Sequence, residues 1–365
     1  VALSLVPGLG PVSFARLIRR YGSGRAAWHA GSAILESLDR PPAEAGEALR
    51  RLRRSSPATI LGRIEARLRP VDGRVVTALD SAYPPALRRA DPRPAVLYQA
   101  GDLAAFVPPA VAVVGTRRAS AYGRSCAIHI ADELARCDLV VVSGLALGID
   151  GEAHAAAIDA GGRSVAVLPS PIDRIYPPRH RQLAARLVAS GGALLSELPP
   201  GHLPGRPDFA RRNRIIAGLA AATVVVEAPD RSGALLTAAA AVDLGREVYA
   251  VPGPIDAEGS RGCNRLIADH VAALVTSPAG LLIGLGVGAA GDSNAVAVLS
   301  DPEGIVLAHL LRRPASVEEL AGLTALTTGA LASALTMLEA RGLATAYGGA
   351  TFHPTLAARR LGRRG

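Results

Sequence analysis

The chain reads as an α/β protein built on a doubly wound, mostly parallel sheet, with a helical segment before it and a small helical domain after it. Three observations predict this. Between residues 110 and 283, short apolar runs alternate with amphipathic stretches at the spacing of strand–helix units. The runs are β-branched and continuous, as strands covered on both faces are. Several end in small or polar residues: Val113-Val-Gly-Thr-Arg117, Val140-Val-Val-Ser-Gly144, Val224-Val-Val-Glu227 and Val251-Pro-Gly253. That places strand ends and helix N-termini, which attract anions, on one edge of the sheet.

Taken in order, residues 1–70 predict a helical, basic domain with 12 arginines against 5 acids. Within it, Leu5-Val-Pro-Gly-Leu-Gly10 followed by Val12, Phe14, Leu17 and Ile18 has the pattern of a helix-hairpin-helix unit, whose hairpin can point N–H groups at a phosphate. The plainer reading is a hairpin that turns the chain. Residues 71–109 are proline-rich, with one strand-like patch at Ala95-Val-Leu-Tyr98, and read as a connecting segment that packs on the sheet. From 110 to 283, strands are expected at 110–115, 138–143, 164–168, 193–196, 222–227, 247–251 and near 272–276. Helices are expected at 122–136, 150–161, 179–190, 211–220 and 233–244.

Residues 284–300 read as a linker of small residues. They overlap a G-x-G-x-x-G match, Gly286 to Gly291, which is rejected as a dinucleotide site because no amphipathic helix opens after it. Helices at 303–313, 316–323 and 327–341, then Leu343 to Tyr347, Gly348-Gly349 and Ala350-Thr-Phe352, predict a winged helix over 301–357. Its third helix offers Glu339 and one cation, Arg341, too little charge to offset phosphate repulsion in a major groove. A protein contact suits it better, with duplex reading as the rival. Residues 358–365 form a basic tail.

The formal charge of the 365 residues is +9, all 40 basic Lys+Arg positions being arginine, and a polyanionic partner fits that balance. The lack of lysine excludes a Walker-type phosphate lysine, a Schiff base and a lysine general base. Arginine suits forked phosphate recognition and stacking; a compositional bias toward Ala, Gly, Pro and Arg accounts for its prevalence equally well. Cys126, Cys137 and Cys263 are odd in number and form no C-x-x-C pair, so neither a disulfide framework nor a zinc site is indicated. There is no charged leader-like start and no unbroken apolar run of membrane-spanning length, so the expectation is a soluble, cytoplasmic protein.

Chemistry concentrates in the central domain. Phe209-Ala-Arg-Arg-Asn-Arg-Ile-Ile-Ala217 crowds Arg211, Arg212 and Arg214 around Asn213 at a helix start. Ser143-Gly-Leu-Ala-Leu-Gly-Ile-Asp150 leaves a strand through small residues that let a phosphate approach the backbone. Asp150 and His154, spaced i, i+4, could be metal ligands or an acid–base pair. Two ligands are too few for a metal site, and Asp150 stands where an N-cap belongs, so a cap with a hydrogen-bonded histidine is preferred. Arg174, Arg179, His180 and Arg181 follow the third strand, on the same expected rim as Arg117. Ser232-Gly-Ala-Leu-Leu-Thr237 opens a second anion-attracting helix, and Glu227 before it is read as an ion-pair partner for an arginine. Forked cations along one edge fit a repeated phosphate backbone better than a single small anion. No serine–histidine–acid series or paired carboxylates stand out, so no catalytic, metal or cofactor site is assigned.

Assembled in order over roughly 170 residues, these motifs closely resemble the DNA-processing protein A (DprA/Smf) family. The matches are Val113-Val-Gly-Thr-Arg117 with Tyr122-Gly123, Ser143 through Asp150 with His154, Ile175-Tyr-Pro177, Ser196-Glu197, Phe209 through Gly218 and Val225-Val-Glu-Ala228. Ser232-Gly233 with Thr237-Ala238, Gly245-Arg246, Val251-Pro-Gly253 and Gly262-Cys-Asn264 with Leu266-Ile267 complete the set. The resemblance implies a Rossmann-like domain, an N-terminal SAM-like domain and a C-terminal winged helix. It implies a non-enzymatic, dimeric recombination mediator that protects incoming single-stranded DNA and loads a RecA-type recombinase in natural transformation, displacing single-strand-binding protein. The DNA pocket it implies uses Arg117, Ser143, Gly144, Arg179, Arg212, Asn213 and Arg214, with Ser232 and Gly233 as backbone donors. Leu168 to Asp173 departs from a loop that usually carries glycine, and Asp269-His270 replaces a common glycine-alanine pair. The rival reading is a nucleotide-processing enzyme of the lysine-decarboxylase-like phosphoribohydrolase type. The chain lacks that family's Pro-Gly-Gly-x-Gly-Thr loop; the nearest stretch is Ser232 to Thr237.

Overall fold

The computed structural model of the chain describes residues 1–38, 41–101, 109–287, 300–347, 351–355 and 358. The chain divides into two compact units, residues 1–274 and 275–365.

The first unit opens with helices α1 (Pro11–Tyr21), α2 (Gly24–His29), α3 (Ala45–Leu52) and α4 (Pro57–Leu68). Prolines in the first turn of α1 and α4, where no N–H partner is needed, and Ser23 and Ser56 as side-chain caps set the starts. Leu17, Ile34, Leu49 and their neighbours bury a separate small core. The hairpin N–H groups of Leu9 and Gly10 bond inward to Val6 and Gly8 carbonyls. In this conformation they are satisfied within the turn.

The chain then enters a nine-stranded sheet. Its elements are β1 (Gly73–Thr77), β2 (Val96–Gly101), β3 (Ala110–Val114), α5 (Ala121–Arg136), β4 (Val140–Ser143), α6 (Ile149–Asp159), β5 (Ser164–Val167), α7 (Arg181–Ala189) and β6 (Ala193–Ser196). They continue with α8 (Arg206–Leu219), β7 (Ala222–Val225), α9 (Gly233–Asp243), β8 (Glu247–Ala250), α10 (Arg261–Ala268) and β9 (Ala273–Leu274). The strand order is β1-β2-β6-β5-β4-β3-β7-β8-β9. β6 through β9 are mutually parallel in that order, with Val111 opposite both Val141 and Ala222. The chain therefore steps outward from β3 to β6, crosses back through α8, and steps the other way from β7 to β9. The expected doubly wound α/β class stands, and its switch point lies between β3 and β7.

Alternate strand residues face opposite layers. Val140, Val142, Val165 and Leu195 join Ile215, Ile216 and Ala238 of α8 and α9 in one core. Ala166 and Leu194 join Ile60 and Ile64 of α4 and Leu187 of α7 in another. Burying a leucine such as Leu187 completely contributes about 2 kcal/mol.

Three local expectations change. The stretch read as a connecting segment supplies β1 and β2, which pair antiparallel with each other and with β6, so it extends the sheet instead of merely covering it. Helix α8 starts at Arg206, five residues earlier than the apolar periodicity indicates, because Asp208 accepts the Gly205 N–H at 2.8 Å and the His202 Nε2 at 3.0 Å. Helix α10 was not anticipated; its face is polar apart from Gly262, Cys263 and a few aliphatics.

The second unit holds α11 (Pro278–Gly284), α12 (Asp301–Arg312), β10 (Ala315–Ser316), α13 (Val317–Thr324), α14 (Thr328–Ala340), β11 (Ala344–Tyr347) and β12 (Thr351–Pro354). A three-stranded sheet, β10-β12-β11, closes it, the topology of a winged helix. Ser300 and Ser316 with Glu303 and Glu319 form capping boxes for α12 and α13. The Gly348-Gly349 turn, the Gly286–Gly291 match beyond Val287 and the basic tail apart from Ala358 lie outside the described residues. No single helix among the described residues is long and apolar enough to cross a membrane.

Candidate functional site

A groove of about 410 Å³ lies outside the carboxyl ends of β3, β4 and β7, at the switch point. Its walls come from the turn after β3 (Gly115 to Arg118), the first turns of α8 (Arg206, Phe209, Arg212, Asn213) and the start of α9 (Ser232 to Thr237). Four arginines line it, and the acid among its lining residues, Asp150, is buried. Arg117, Arg118 and Arg206 are exposed, and no acid pairs with them among the described residues.

The arginines differ sharply in how they are held. Arg117 lies over the Phe209 ring, its guanidinium carbon 5.0 Å from the centroid, and the Tyr176 ring meets Phe209 edge-on at 5.9 Å and 81°. Arg212 is buried; one terminal nitrogen donates to the Gly144 carbonyl at 2.7 Å and the Val167 carbonyl at 2.6 Å, while Nε reaches Asn213 Oδ1 at 3.2 Å. Burial pushes its guanidinium down to about 10, partly offset by Asp150, so it stays charged at neutral pH. Gly144 is required here, since a Cβ would fall on the Arg212 guanidinium. Asn213 in turn donates to the Gly233 carbonyl at 3.1 Å, tying α8 to the start of α9.

Asp150 sits at the floor. Its carboxylate accepts the Gly144 N–H at 3.1 Å and is bonded by the backbone of Ala146 and Gly115 as well. Burial raises its pKa, and Arg212 opposes the rise. It is not the N-cap expected from sequence: Gly148, at φ +76°, holds that position, and Asp150 reaches back across the turn instead. The amides that a phosphate would seek in the β4–α6 turn are therefore already taken by a carboxylate of the chain itself.

His154 completes that support. Its Nε2 accepts the Leu145 N–H at 3.3 Å, and its Nδ1 lies 2.7 Å from Ser164 Oγ, which donates to the Val141 carbonyl at 2.8 Å. An accepting Nε2 fixes the neutral tautomer with its proton on Nδ1. Full burial first, then the nearby His180 and Arg212 charges, drive its pKa down to about 3. No group of three or more metal-ligating side chains occurs among the described residues.

The other expected residues fall as follows. Ser143 is fully buried, its hydroxyl donating to the Val113 carbonyl at 2.6 Å, so it braces β4 against β3. Arg214 turns away from the groove: one nitrogen bonds both Glu197 carboxylate oxygens at 2.7 Å, and another donates to the Pro92 carbonyl at 2.7 Å. Its neighbour two residues earlier on α8 points elsewhere because two helical steps rotate a side chain by about 200°. Arg179 lies on a separate depression of about 330 Å³ with Glu152, His180 and Arg186. Ser232 caps α9 through the Ala234 N–H at 3.3 Å, and Gly233 is exposed on the groove.

Glu227 makes no ion pair with an arginine, contrary to expectation. Its Oε2 accepts the Ser120 N–H at 2.9 Å and the Ser120 hydroxyl at 3.1 Å, and it packs beside Gly123 and Gly259. It anchors the start of α5 to the end of β7. Sequence reasoning missed Arg118 and Arg206 as groove residues. Arg118 adjoins Arg117, and Arg206 would have been found by placing the start of α8 at Gly205-Arg-Pro-Asp208.

A family model for DNA recombination-mediator protein A matches residues 74–285, and one for its winged-helix domain matches residues 291–350. The chain belongs to this family. It is 41% identical over 354 residues to a DNA processing protein DprA of Mycobacterium tuberculosis, covering 93% of this chain and 87% of the relative. Among solved structures, DNA processing protein A from Streptococcus pneumoniae superposes with a TM-score of 0.66 at 32% identity, over 77% of this chain and 95% of that one. That of Helicobacter pylori, solved in a study of its single-stranded DNA binding, gives 0.53 at 27%, over 58% and 95%. The chain is thus a DprA-family protein with the winged-helix extension, and the rival nucleotide-processing assignment is not favoured.

Proposed function

We propose that the groove binds single-stranded DNA through its phosphates, and that the protein is a recombination mediator that protects incoming strands and loads a RecA-type recombinase during natural transformation. The carrying observation is three exposed, acid-free arginines, Arg117, Arg118 and Arg206, converging over a fourth, buried Arg212, beside an α9 start that keeps its Gly233 exposed. Phosphate contacts are assigned to Arg117, Arg118, Arg206 and Arg212, with Asn213, Ser232 and Gly233 on the opposite wall. Gly144 acts by letting Arg212 in; Ser143 and Arg214 brace the scaffold, and Arg179 extends the cationic surface beyond Tyr176. Closed amides in the β4–α6 turn speak against a nucleotide pyrophosphate, and the H. pylori relative's single-stranded DNA binding supports the strand reading. On this reading the protein works in the cytoplasm as a homodimer, alongside single-strand-binding protein.

Fluorescence anisotropy of a labelled oligo-dT strand across a salt series tests it. An Arg117→Ala/Arg118→Ala/Arg206→Ala variant is expected to bind far more weakly and to lower the log–log salt slope by about 2, at ~0.7 for each single-strand phosphate contact. Unchanged affinity and slope would sink the assignment. Arg212 is left intact because truncating a buried charge would unsettle the fold. The loading step is read separately, as recovery of recombinase ATPase activity on strands coated with single-strand-binding protein.

A further inference from the structure

A small recess of about 40 Å³ opens off the groove beside Arg117 and Arg212. Leu147, Pro169, Tyr176, Pro177 and Phe209 make most of its lining, so it is apolar where the groove is cationic. A phosphate has nothing to gain from such walls, and a flat π surface does. Phe209 is already engaged, with Arg117 over its face and Tyr176 against its edge. Tyr176 remains 44% exposed and Leu147 37% exposed, unusual for large apolar side chains meeting at a concave site. The recess shares Arg117, Phe209 and Arg212 with the groove, so a base seated here and the phosphate beside it belong to adjacent parts of one strand.

We propose that this recess is a nucleobase subsite in which one unpaired base stacks on the Tyr176 ring against Leu147, resting on the single-stranded DNA reading above. Phe209 serves as the buttress that holds Tyr176 upright, and Arg117 couples the two subsites by covering Phe209 while facing the groove. Stacking accepts any base, since every base has a π face, so the subsite demands an unpaired base without demanding a sequence. A duplex, whose bases are stacked on each other, cannot fill it. The recess thus supplies the discrimination for single strands that phosphate contacts alone lack.

The test uses the full chain and oligo-dT strands, intact or carrying a single abasic site at successive positions. Tyr176→Ala is expected to lower affinity for the intact strand about tenfold with an unchanged salt slope, and Tyr176→Phe to bind as the parent does. Abasic substitution at the seated position should weaken the parent to the same degree, and Tyr176→Ala should then add no further loss. Leu147→Asn, an exposed loop change, should reproduce part of the effect; equal melting temperatures show that each variant is folded. A 2-aminopurine placed at that position should be quenched on binding to the parent and not to Tyr176→Ala. Equal binding by parent and Tyr176→Ala, a loss accompanied by a lower salt slope, or a loss that persists in full on the abasic strand overturns the subsite while leaving the phosphate groove standing. A parent protein that binds no oligo-dT overturns both.

Discussion

The turn after β4 and the turn after β7 flank one groove, and they differ in what holds their amides. In the first, Asp150 folds back onto Gly144, Ala146 and Gly115, and a buried histidine braces the next residue. In the second, Ser232 makes one weak cap bond and Gly233 faces the groove. One turn is a rigid floor whose anion is built in. The other is a wall whose positive helix end is left for a ligand. A strand-to-helix turn is therefore an anion site only when the chain has not already supplied the anion.

The comparison breaks most visibly at Asp150. Asp150→Ala leaves the turn amides and Arg212 uncompensated and is expected to destabilise the fold by about 3–5 kcal/mol in denaturant titration. Asp150→Asn, which keeps an acceptor, should lose less. If Asp150→Ala instead melts like the parent, the carboxylate is not the keystone of that floor.

His154 sharpens the same contrast through pH. Its folded pKa, about 3, lies below the unfolded value near 6.5, so unfolding takes up a proton in between. Its contribution is full above about pH 6.5 and falls by roughly 1.4 kcal/mol per pH unit as acidity increases toward the folded value. Asp150 and Glu197, whose pKa values are raised by burial, work in the opposite sense, gaining stability on acidification. The gap in unfolding free energy between the parent and His154→Gln should therefore narrow from pH 7.5 to pH 5. A constant gap would mean that the histidine is accessible to protons.

The smallest effect belongs to the open wall. Ser232→Ala removes the α9 cap and should cost about 1 kcal/mol of stability. Its oligo-dT affinity should fall only slightly, because the ligand's donors there are backbone groups that the substitution keeps. A loss as large as that of the triple arginine variant would make the Ser232 hydroxyl itself a contact.

Much of this was legible in the residues. β-branched runs marked the strands within one or two positions, because strands buried on both faces leave an unbroken apolar signature. β1 was harder to see: Gly73 to Thr77 is half exposed at the sheet's edge and so lacks that signature. The start of α8 was hidden by Pro207 and by a polar first turn whose stability comes from Asp208 reaching backward. Arg211, Arg212 and Arg214 looked like one cluster, yet helical rotation sends them to solvent, to the groove floor and to Glu197. Sequence proximity on a helix predicts local charge density and not a shared face.

The brace on Arg212 has a consequence for how a flexible polymer is gripped. A guanidinium clasped between the Gly144 and Val167 carbonyls has no rotamers left to lose when an anion arrives, whereas Arg118 and Arg206 must be stilled on contact. The trough thus combines a stiff base with compliant flanks. Such a grip can fix one point of a chain firmly while its neighbours adjust to whatever contour passes over them.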